Sequence, residues 1–384
     1  MILSRIIPPK SVKKDLFPKI IDVRKEARVF FGEILFSITS DTIEQEHFSS
    51  PTPKKRNERM IEMKPKVYIT RRIQSEGLNV LEPFCDIELW EEDRPIPKTI
   101  LLEKVKGIRG LISMLSDPID EEVIANAKAL KVVANFGVGY DNIDIACCTR
   151  EKIRVGNTPG VLTDATADLA FALLLTLARR IEEGAQYVKE GRWLSYSPTL
   201  LIGKDLSEKT VGIIGFGRIG QAVAKRAKGF GMRVIYANTS RKPEIEDQIG
   251  AQCVFFNELL EDADFISLHC PLTPKTERLI GEKSFERMKK EAILVNTARG
   301  KVIDTEALIR ALRTKRIAAA GLDVTDPEPL PQDHPLLKLD NCLVIPHIGS
   351  ATTRTRGRVA EMSAKNILAG INGEALPYPV NMIG

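Results

Sequence analysis

A chain of 384 residues is longer than one hydrophobic core usually supports, so two domains are expected. Its composition, 43% hydrophobic and 28% charged, is that of a globular protein, and no apolar run approaches the roughly 18 residues of a membrane helix. The net charge of +5 arises mainly in residues 1–64, and no basic stripe with interleaved aromatic residues occurs. We therefore expect neither a nucleic acid nor a membrane as a partner.

The six cysteines lack CxxC spacing and fall mostly in apolar stretches. Buried thiols in a reducing compartment explain them more simply than disulfides or zinc ligands. We expect no metal site, and we expect the protein in the cytoplasm.

Residues 1–64 contain no pattern typical of a folded unit. The stretch SSPTPKKRNER is charged and contains proline, and the residues before it show no regular period. We predict a disordered extension. A mitochondrial presequence is the alternative, although such sequences are poor in acids and this one contains Asp15, Asp22, Glu26 and Glu33. A mitochondrial location therefore stays open.

The next part of the chain alternates apolar strands with helical patterns. The strands are VYIT, DIELW, GLISM and KVVANF, with helices near Ser75–Leu81, near Lys98–Val105 and from Asp120. This alternation predicts a parallel sheet flanked by helices. Two strands end in polar or glycine-rich loops, at Leu115-Ser116 and at Phe136–Tyr140. Ligands of open α/β sheets bind at such strand ends.

A long helix is predicted from about Leu162 to Glu183, with Thr163 or Asp164 as its N-cap. The following segment, EGRWLSYSPTLLIGKDL, presents Trp193 and Tyr196 on an exposed arm. Two interpretations stay open for this arm. It is a loop that covers the core, or it contacts a second copy of the chain, since large aromatic residues favour interfaces.

The stretch TVGIIGFGRIGQAVAKRA predicts a dinucleotide-binding turn. An apolar strand meets Gly215, Gly217 and Gly220 and continues into a helix with apolar residues at helical spacing. The first glycine permits the tight turn, the second lets the backbone approach a pyrophosphate, and the third lets helix and strand pack closely. The phosphate lies at the helix N-terminus, where Arg218 and Ile219 follow. These five residues are the core of the predicted cofactor site.

The alternation then resumes through MRVIYAN, CVFF, DFISLHCPL, AILVNTARG, IAAAGLDV and CLVIPH. Roughly six strands are predicted to make the second doubly wound domain. The segment IYANTSRK bears on the choice of cofactor. A turn specific for NAD places Asp or Glu about 20 residues after the glycines, but this chain has Asn238, Ser240, Arg241 and Lys242 there. Two cations and no acid predict a preference for NADPH, with NADH as an alternative.

Hydride transfer to a keto acid requires a proton donor, a group that keeps the donor charged, and an anchor for the substrate carboxylate. His347 ends a strand in the polar turn PHIGSAT and is the predicted acid, whereas His269 is expected beside the cofactor. Glu328, in GLDVTDPEPL, can hold the imidazolium or is a solvated loop acid. Arg299 lies in NTARG, directly after the apolar strand AILVN, where a guanidinium can bind a carboxylate. Asp323 can accept from the nicotinamide carboxamide or cap its strand.

Together these features resemble the D-isomer-specific 2-hydroxyacid dehydrogenases. The motifs that carry the resemblance are VGIIGFGRIG, HCPLT, VNTARGKVID, GLDV with EP beyond it, and PHIGSAT, in this order. The resemblance covers about Lys66 to Gly370. Within the family, RVGNTPGVLTDATADLA and HPLLKLDNCLVIPHIGSATTRTR are most similar to the branch that reduces glyoxylate and hydroxypyruvate.

The resemblance implies roles for individual residues. Arg299 orients the keto acid, His347 protonates it, and Glu328 supports His347. Backbone amides at Val138 and Gly139 hold the carboxylate. Further pocket and cofactor contacts are implied for Ser350, Arg241, Lys242, Pro271, Thr297, Asp323 and Gly349.

The resemblance also implies the architecture and the activity. An α/β fold of two doubly wound parallel sheets is expected, with a Rossmann cofactor domain of residues 163–349 inserted into a flavodoxin-like substrate domain of residues 65–162 and 350–384. Members commonly form homodimers. The implied activity is NADPH-dependent reduction of hydroxypyruvate to D-glycerate and of glyoxylate to glycolate. Alternatives are a dehydrogenase acting on another 2-hydroxy acid, such as 3-phosphoglycerate, and a dinucleotide-sensing corepressor of the same fold.

Overall fold

Two parallel β-sheets organise the part of the chain that the structure, a computed structural model, describes, which is residues 64–383. Each sheet has one hydrophobic cluster on each of its two faces. Both sheets are therefore covered on both sides, as parallel sheets require. The predicted N-terminal extension lies outside the described residues, apart from Lys64.

The first sheet has five strands in the order β2-β1-β3-β4-β5. Its strands and the helices between them are β1 Lys66–Ile69, α1 Ser75–Leu81, β2 Asp86–Leu89, α2 Lys98–Lys104, β3 Gly110–Ser113, α3 Glu121–Asn126, β4 Val132–Asn135, α4 Ile145–Arg150 and β5 Arg154–Gly156. This is the flavodoxin-like order that the resemblance implies. Sequence analysis missed α4 and β5, because a helix of six residues and a strand of three are too short to show a period.

The last helix, α12 Thr353–Ile371, returns to this first sheet. Its buried Asn366 donates from Nδ2 to the carbonyl of Asn157, 3.0 Å away, and accepts from the amide of Tyr378, at 3.1 Å. Residues distant in sequence thus complete the packing of the first sheet. This agrees with a substrate domain made of two separate segments, although the exact boundaries stay a prediction.

The second sheet has seven strands in the order β12-β11-β10-β9-β6-β7-β8, one more than the rough estimate from the sequence. Its elements are β6 Thr210–Ile214, α7 Arg218–Gly229, β7 Arg233–Ala237, α8 Pro243–Ile249, β8 Ala251–Cys253, α9 Phe256–Asp262, β9 Phe265–Leu268, α10 Glu282–Arg287, β10 Ile293–Asn296, α11 Thr305–Arg313, β11 Ala319–Leu322 and β12 Cys342–Val344. The strand order reverses between β6 and β9, as in Rossmann sheets. The crevice for a dinucleotide lies at this switch point.

The predicted long helix is in fact two helices, α5 Thr163–Ala178 and α6 Ile181–Lys189. They break at Arg180, whose φ of 53° is left-handed and cannot continue a helix. Leu162 is the N-cap of α5 and no side chain caps it, so the predicted cap by Thr163 or Asp164 is wrong.

The predicted arm after α6 is exposed, with Trp193 59% and Tyr196 85% accessible. All six cysteines are free thiols, and four of them are buried. Among residues 64–383, no helix is both long and apolar enough to span a membrane.

Candidate active site

The glycine turn after β6 has the geometry of a nucleotide-binding loop. Gly215 has φ +91°, and a Cβ there would lie 2.5 Å from the amide nitrogen of Cys270, so only glycine fits. At Gly220 a Cβ would overlap the carbonyl oxygen of Gly215. Gly217 is exposed and a Cβ there would meet no atom within 4 Å. Gly217 is also the N-cap of α7 and offers no side-chain cap, so the first amides of α7 are free for an anion.

Two buried polar atoms that follow the neighbouring strands β9 and β10 have no hydrogen-bond partner within residues 64–383. They are Oγ1 of Thr297 and Nδ1 of His269. Their residues follow β10 and β9 directly, where Asn296 pairs with Leu268. Orphaned buried polar atoms are costly, and a cofactor with hydroxyl and amide groups would pair them. The switch point therefore fits a nicotinamide dinucleotide.

His269 itself is held neutral. Its Nε2 lies 2.7 Å from Oγ of Ser267, and burial lowers the pKa of its imidazole to about 3. A proton donor near neutral pH needs an accessible charged form, which this histidine lacks. His269 therefore lacks the charged form that the proton donor needs, and its place beside the cofactor stays a prediction.

The loop after β7 contains the residues predicted to choose the cofactor. Asn238 occupies the strand end, where its Oδ1 accepts from the amide of Phe216 at 3.2 Å and its Nδ2 donates to the carbonyl of Ser240 at 2.8 Å. No carboxylate stands at this position. Arg241 is already engaged, since Nη2 donates to Oε2 of the buried Glu246 at 2.7 Å. Lys242 forms no ion pair within the described part of the chain.

Glu246 is a residue that sequence analysis missed. Its Oε1 also accepts from the hydroxyl of Tyr236 at 2.6 Å, and the amide of Lys242 donates to the same hydroxyl at 2.8 Å. The carboxylate therefore fixes both cationic residues of the loop, Arg241 by its side chain and Lys242 through Tyr236. A sign of this was present in the sequence, because Glu246 lies one turn into the helix that follows Arg241.

His347 and Glu328 form a hydrogen-bonded pair beside the cofactor sheet. Nδ1 of His347 lies 2.6 Å from Oε1 of Glu328, and the amide of Thr325 donates to Oε2 at 3.1 Å. Partial burial acts to raise the pKa of Glu328, but the hydrogen bond and charge of His347, the Thr325 amide and the charge of Arg299 leave it below its ordinary value. Glu328 is therefore an ionised partner of the imidazole. Its side chain remains 39% exposed, so the role of an ordinary loop acid stays the alternative.

Asp323 holds the backbone around His347. Its carbonyl accepts from the amide of His347 at 2.9 Å, and its carboxylate accepts from the amides of Ile348 at 2.6 Å and Gly349 at 2.8 Å. His347 has φ 50°, a strained conformation for a residue with a side chain, and these three bonds stabilise it. Asp323 thus caps the strand end, and a contact of its carboxylate with the nicotinamide carboxamide stays a prediction. Burial raises the pKa of its carboxyl, although both amides oppose this.

Arg299 reaches from the second sheet to the loop after β4 of the first sheet. Its Nε donates to Oδ1 of Asp141 at 2.8 Å, and its Nη1 donates to the carbonyl of Ala298 at 2.8 Å. A Cβ at Gly139 would overlap Nη2 of Arg299. The amides of Val138 and Gly139 have no acceptor within residues 64–383. A guanidinium and two free amides thus meet at one place, which suits a carboxylate ligand.

The remaining predicted residues lie along the same edge. Ser350 follows the Asp323-bound amides, and its carbonyl accepts from the amide of Thr352 at 2.8 Å. Pro271 follows β9 and its carbonyl accepts from Oγ1 of Thr276 at 2.6 Å. Arg218 and Ile219 begin α7. Residues 64–383 contain no cluster of His, Cys, Asp or Glu placed to hold a metal ion.

The fold and the site together define an oxidoreductase dependent on a nicotinamide dinucleotide. Residues 171–349 match the family model described as the D-isomer specific 2-hydroxyacid dehydrogenase, NAD binding domain. The glyoxylate reductase of Thermococcus litoralis is 53% identical over 323 residues, which cover 83% of this chain and 97% of that protein. The chain belongs to the D-isomer-specific 2-hydroxyacid dehydrogenases.

Solved structures agree with this membership. A crystal structure of a Thermus thermophilus protein has a TM-score of 0.78 at 48% identity and covers 82% of this chain and 100% of its own. The NADPH-dependent glyoxylate/hydroxypyruvate reductase of Sinorhizobium meliloti, in complex with NADP and malonate, has a TM-score of 0.74 at 28% identity, covering 83% of this chain and 97% of its own.

Proposed function

We propose that this chain is an NADPH-preferring reductase that converts glyoxylate to glycolate and hydroxypyruvate to D-glycerate. The observation that carries the proposal is the pair of His347 and ionised Glu328, next to a guanidinium and two free amides that fit a carboxylate. Relatives about half identical to the chain bear the name glyoxylate reductase, which supports a small 2-keto acid as substrate.

In this proposal each group of the chain has one task. Arg299 and the amides of Val138 and Gly139 bind the substrate carboxylate and so fix the carbonyl carbon. The bound cofactor supplies the hydride for that carbon. His347 donates a proton from Nε2 to the carbonyl oxygen as the alcohol forms, and Glu328 holds Nδ1 and favours the charged imidazole.

The preference for NADPH rests on the loop after β7. A 2′-phosphate carries negative charge, and the loop offers Lys242 and Arg241 but no carboxylate at the position of Asn238. Glu246 opposes this in part, because it already neutralises Arg241. We therefore assign the larger share of phosphate recognition to Lys242.

We also propose that the chain acts as a homodimer whose contact includes the exposed arm with Trp193 and Tyr196. Large exposed apolar side chains are typical of interfaces. The proposed domains stay those of the sequence analysis, with the cofactor domain at residues 163–349 between the two parts of the substrate domain.

A substrate panel tests the activity. Purified protein is assayed with glyoxylate, hydroxypyruvate and 3-phosphohydroxypyruvate, each with NADPH and with NADH. We expect the highest kcat/KM with one of the first two substrates and NADPH. Preference for the phosphorylated substrate would favour a phosphoglycerate dehydrogenase. Tight dinucleotide binding without turnover of any substrate would favour a corepressor.

A further inference from the structure

We propose that Asp141 is a positioning residue that sets the direction in which Arg299 presents its guanidinium to the substrate carboxylate. This inference rests on the proposed keto-acid reductase function. Asp141 lies in the loop after β4, and Arg299 in the loop after β10, 158 residues further along the chain. The contact between them joins the two sheets at the site.

The contacts of Arg299 limit the N–H donors that remain for a ligand. A guanidinium has five N–H groups in a rigid plane. In Arg299, Nε is bound to Asp141 and one N–H of Nη1 to the carbonyl of Ala298, which leaves three N–H groups on the two terminal nitrogens. Because Nε already donates to Asp141, the edge of the guanidinium that contains Nε cannot bind a second carboxylate. A substrate carboxylate is therefore received by the end of the fork, formed by Nη1 and Nη2.

The loop that carries Asp141 is anchored by side-chain hydrogen bonds. Nδ2 of the buried Asn135 donates to the carbonyl of Gly139 at 2.6 Å and to Oδ1 of Asn142 at 3.0 Å. Nδ2 of Asn142 in turn donates to the carbonyls of Met114 and Asp117, both at 3.0 Å. The residues on both sides of Asp141 are thus tied to the first sheet. The backbone that carries the Asp141 carboxylate is therefore anchored independently of any ligand, as a positioning role requires.

The charged side chains of the site form two ion pairs. Arg299 is only 20% exposed, so its charge needs a partner, and besides Asp141 its charge also acts on Glu328. With Asp141 present, the site contains two separate pairs, Asp141 with Arg299 and Glu328 with His347. Asp141 therefore gives Arg299 a carboxylate of its own, separate from the carboxylate that pairs with His347.

The test is a double-mutant cycle of Asp141→Asn and Arg299→Lys, measured with glyoxylate as substrate and malonate as a non-reacting carboxylate ligand. In Asp141→Asn we expect KM for glyoxylate and Ki for malonate to rise about tenfold, with the Kd of NADPH unchanged, because a neutral amide accepts more weakly from Nε of Arg299 and no longer balances its charge. In the Arg299→Lys background the same change should have less than about a twofold effect, because Lys lacks Nε–H at that place. Asp141→Glu keeps the charge and should restore at least half of the lost affinity.

Asp168→Asn is the matched control. Asp168 accepts from Nε of Arg226 at 2.6 Å, and Arg226 is 23% exposed, so this variant loses a similar ion pair away from the site. It should leave KM and Ki unchanged. The proposal is overturned if Asp141→Asn keeps KM and Ki within about twofold of the wild type, if its effect is equally large in Arg299→Lys, or if Asp141→Glu restores nothing. Absence of turnover and of malonate binding in the wild type would instead contradict the proposed function.

Discussion

Oε1 of Glu328 and Nδ1 of His347 lie 2.6 Å apart, and this contact leaves Nε2 as the nitrogen available to a substrate. The pKa of Glu328 is below its ordinary value, so the carboxylate stays charged through the working range of pH. An adjacent carboxylate favours the protonated imidazole. The direction of the pH dependence of reduction follows from this pair.

Glu328→Gln removes this charge and keeps the shape of the side chain. Reduction needs the protonated imidazole, which the carboxylate favours, so the alkaline limb of kcat/KM should move to lower pH. The measurement is a pH profile of glyoxylate reduction for the wild type and the variant. The lowered pKa of folded Glu328 stabilises the wild type at pH values above the pKa of the unfolded chain, and this stabilisation is lost as the pH falls. The difference in the free energy of unfolding between the wild type and Glu328→Gln should therefore shrink in acid. A limb that does not move would show that Glu328 does not act on the donor.

Arg299→Lys keeps a positive charge and removes the planar fork. The expected fall in kcat/KM for glyoxylate is about 100-fold, or roughly 2.7 kcal/mol. Fluorescence titration with NADPH provides the control, because Arg299 is assigned to the substrate and not to the cofactor. Kinetics equal to those of the wild type would remove Arg299 from the substrate site.

Gly139→Ala tests the close approach of the two sheets, because a Cβ at this position would overlap Nη2 of Arg299. Displacement of the guanidinium by about 1 Å should lower kcat/KM roughly 100-fold while the Kd of NADPH stays the same. Gly229→Ala is the control, since a Cβ there meets no atom within 4 Å. If both alanine variants are as active as the wild type, Arg299 can bind substrate from another position.

Lys242→Ala tests the choice of cofactor while keeping the partner of the buried Glu246. Loss of one charge-assisted hydrogen bond, about 1.5–3 kcal/mol, should raise the Kd of NADPH by roughly 10- to 100-fold and leave that of NADH unchanged. Adding Arg241→Ala should weaken NADPH further but also lower the melting temperature, because Glu246 then loses its cation. Equal use of the two cofactors by the wild type would contradict the proposed preference.

A protein that begins at Met63 tests the role of the residues before it. Residues 64–383 contain both complete sheets and every residue assigned to the site. We therefore expect the shortened protein to fold with a melting temperature within a few degrees of the full chain and with the same kcat/KM. An insoluble or inactive product would assign a structural role to the residues that precede Met63.

The sequence was sufficient where a function depends on neighbouring residues. Gly215, Gly217 and Gly220 predicted the nucleotide turn, because a strand, a tight turn and a helix start follow one another directly. The alternation of strands and helices predicted parallel sheets, since each βα unit is local. The break at Arg180 was not visible, because the apolar pattern continues through it and only the left-handed backbone ends α5.

Tertiary structure decided which side chains meet. Asp141 contacts Arg299 across 158 positions, and Asp323 binds the amides that follow His347, 25 and 26 positions away. Nothing in the local pattern distinguishes these acids from ordinary loop or strand-end residues. Their partners are set by the strand order of the two sheets, which brings loops from distant strands to one edge. The sequence gives the type of each residue. Its charge partner depends on which strand ends the fold brings together.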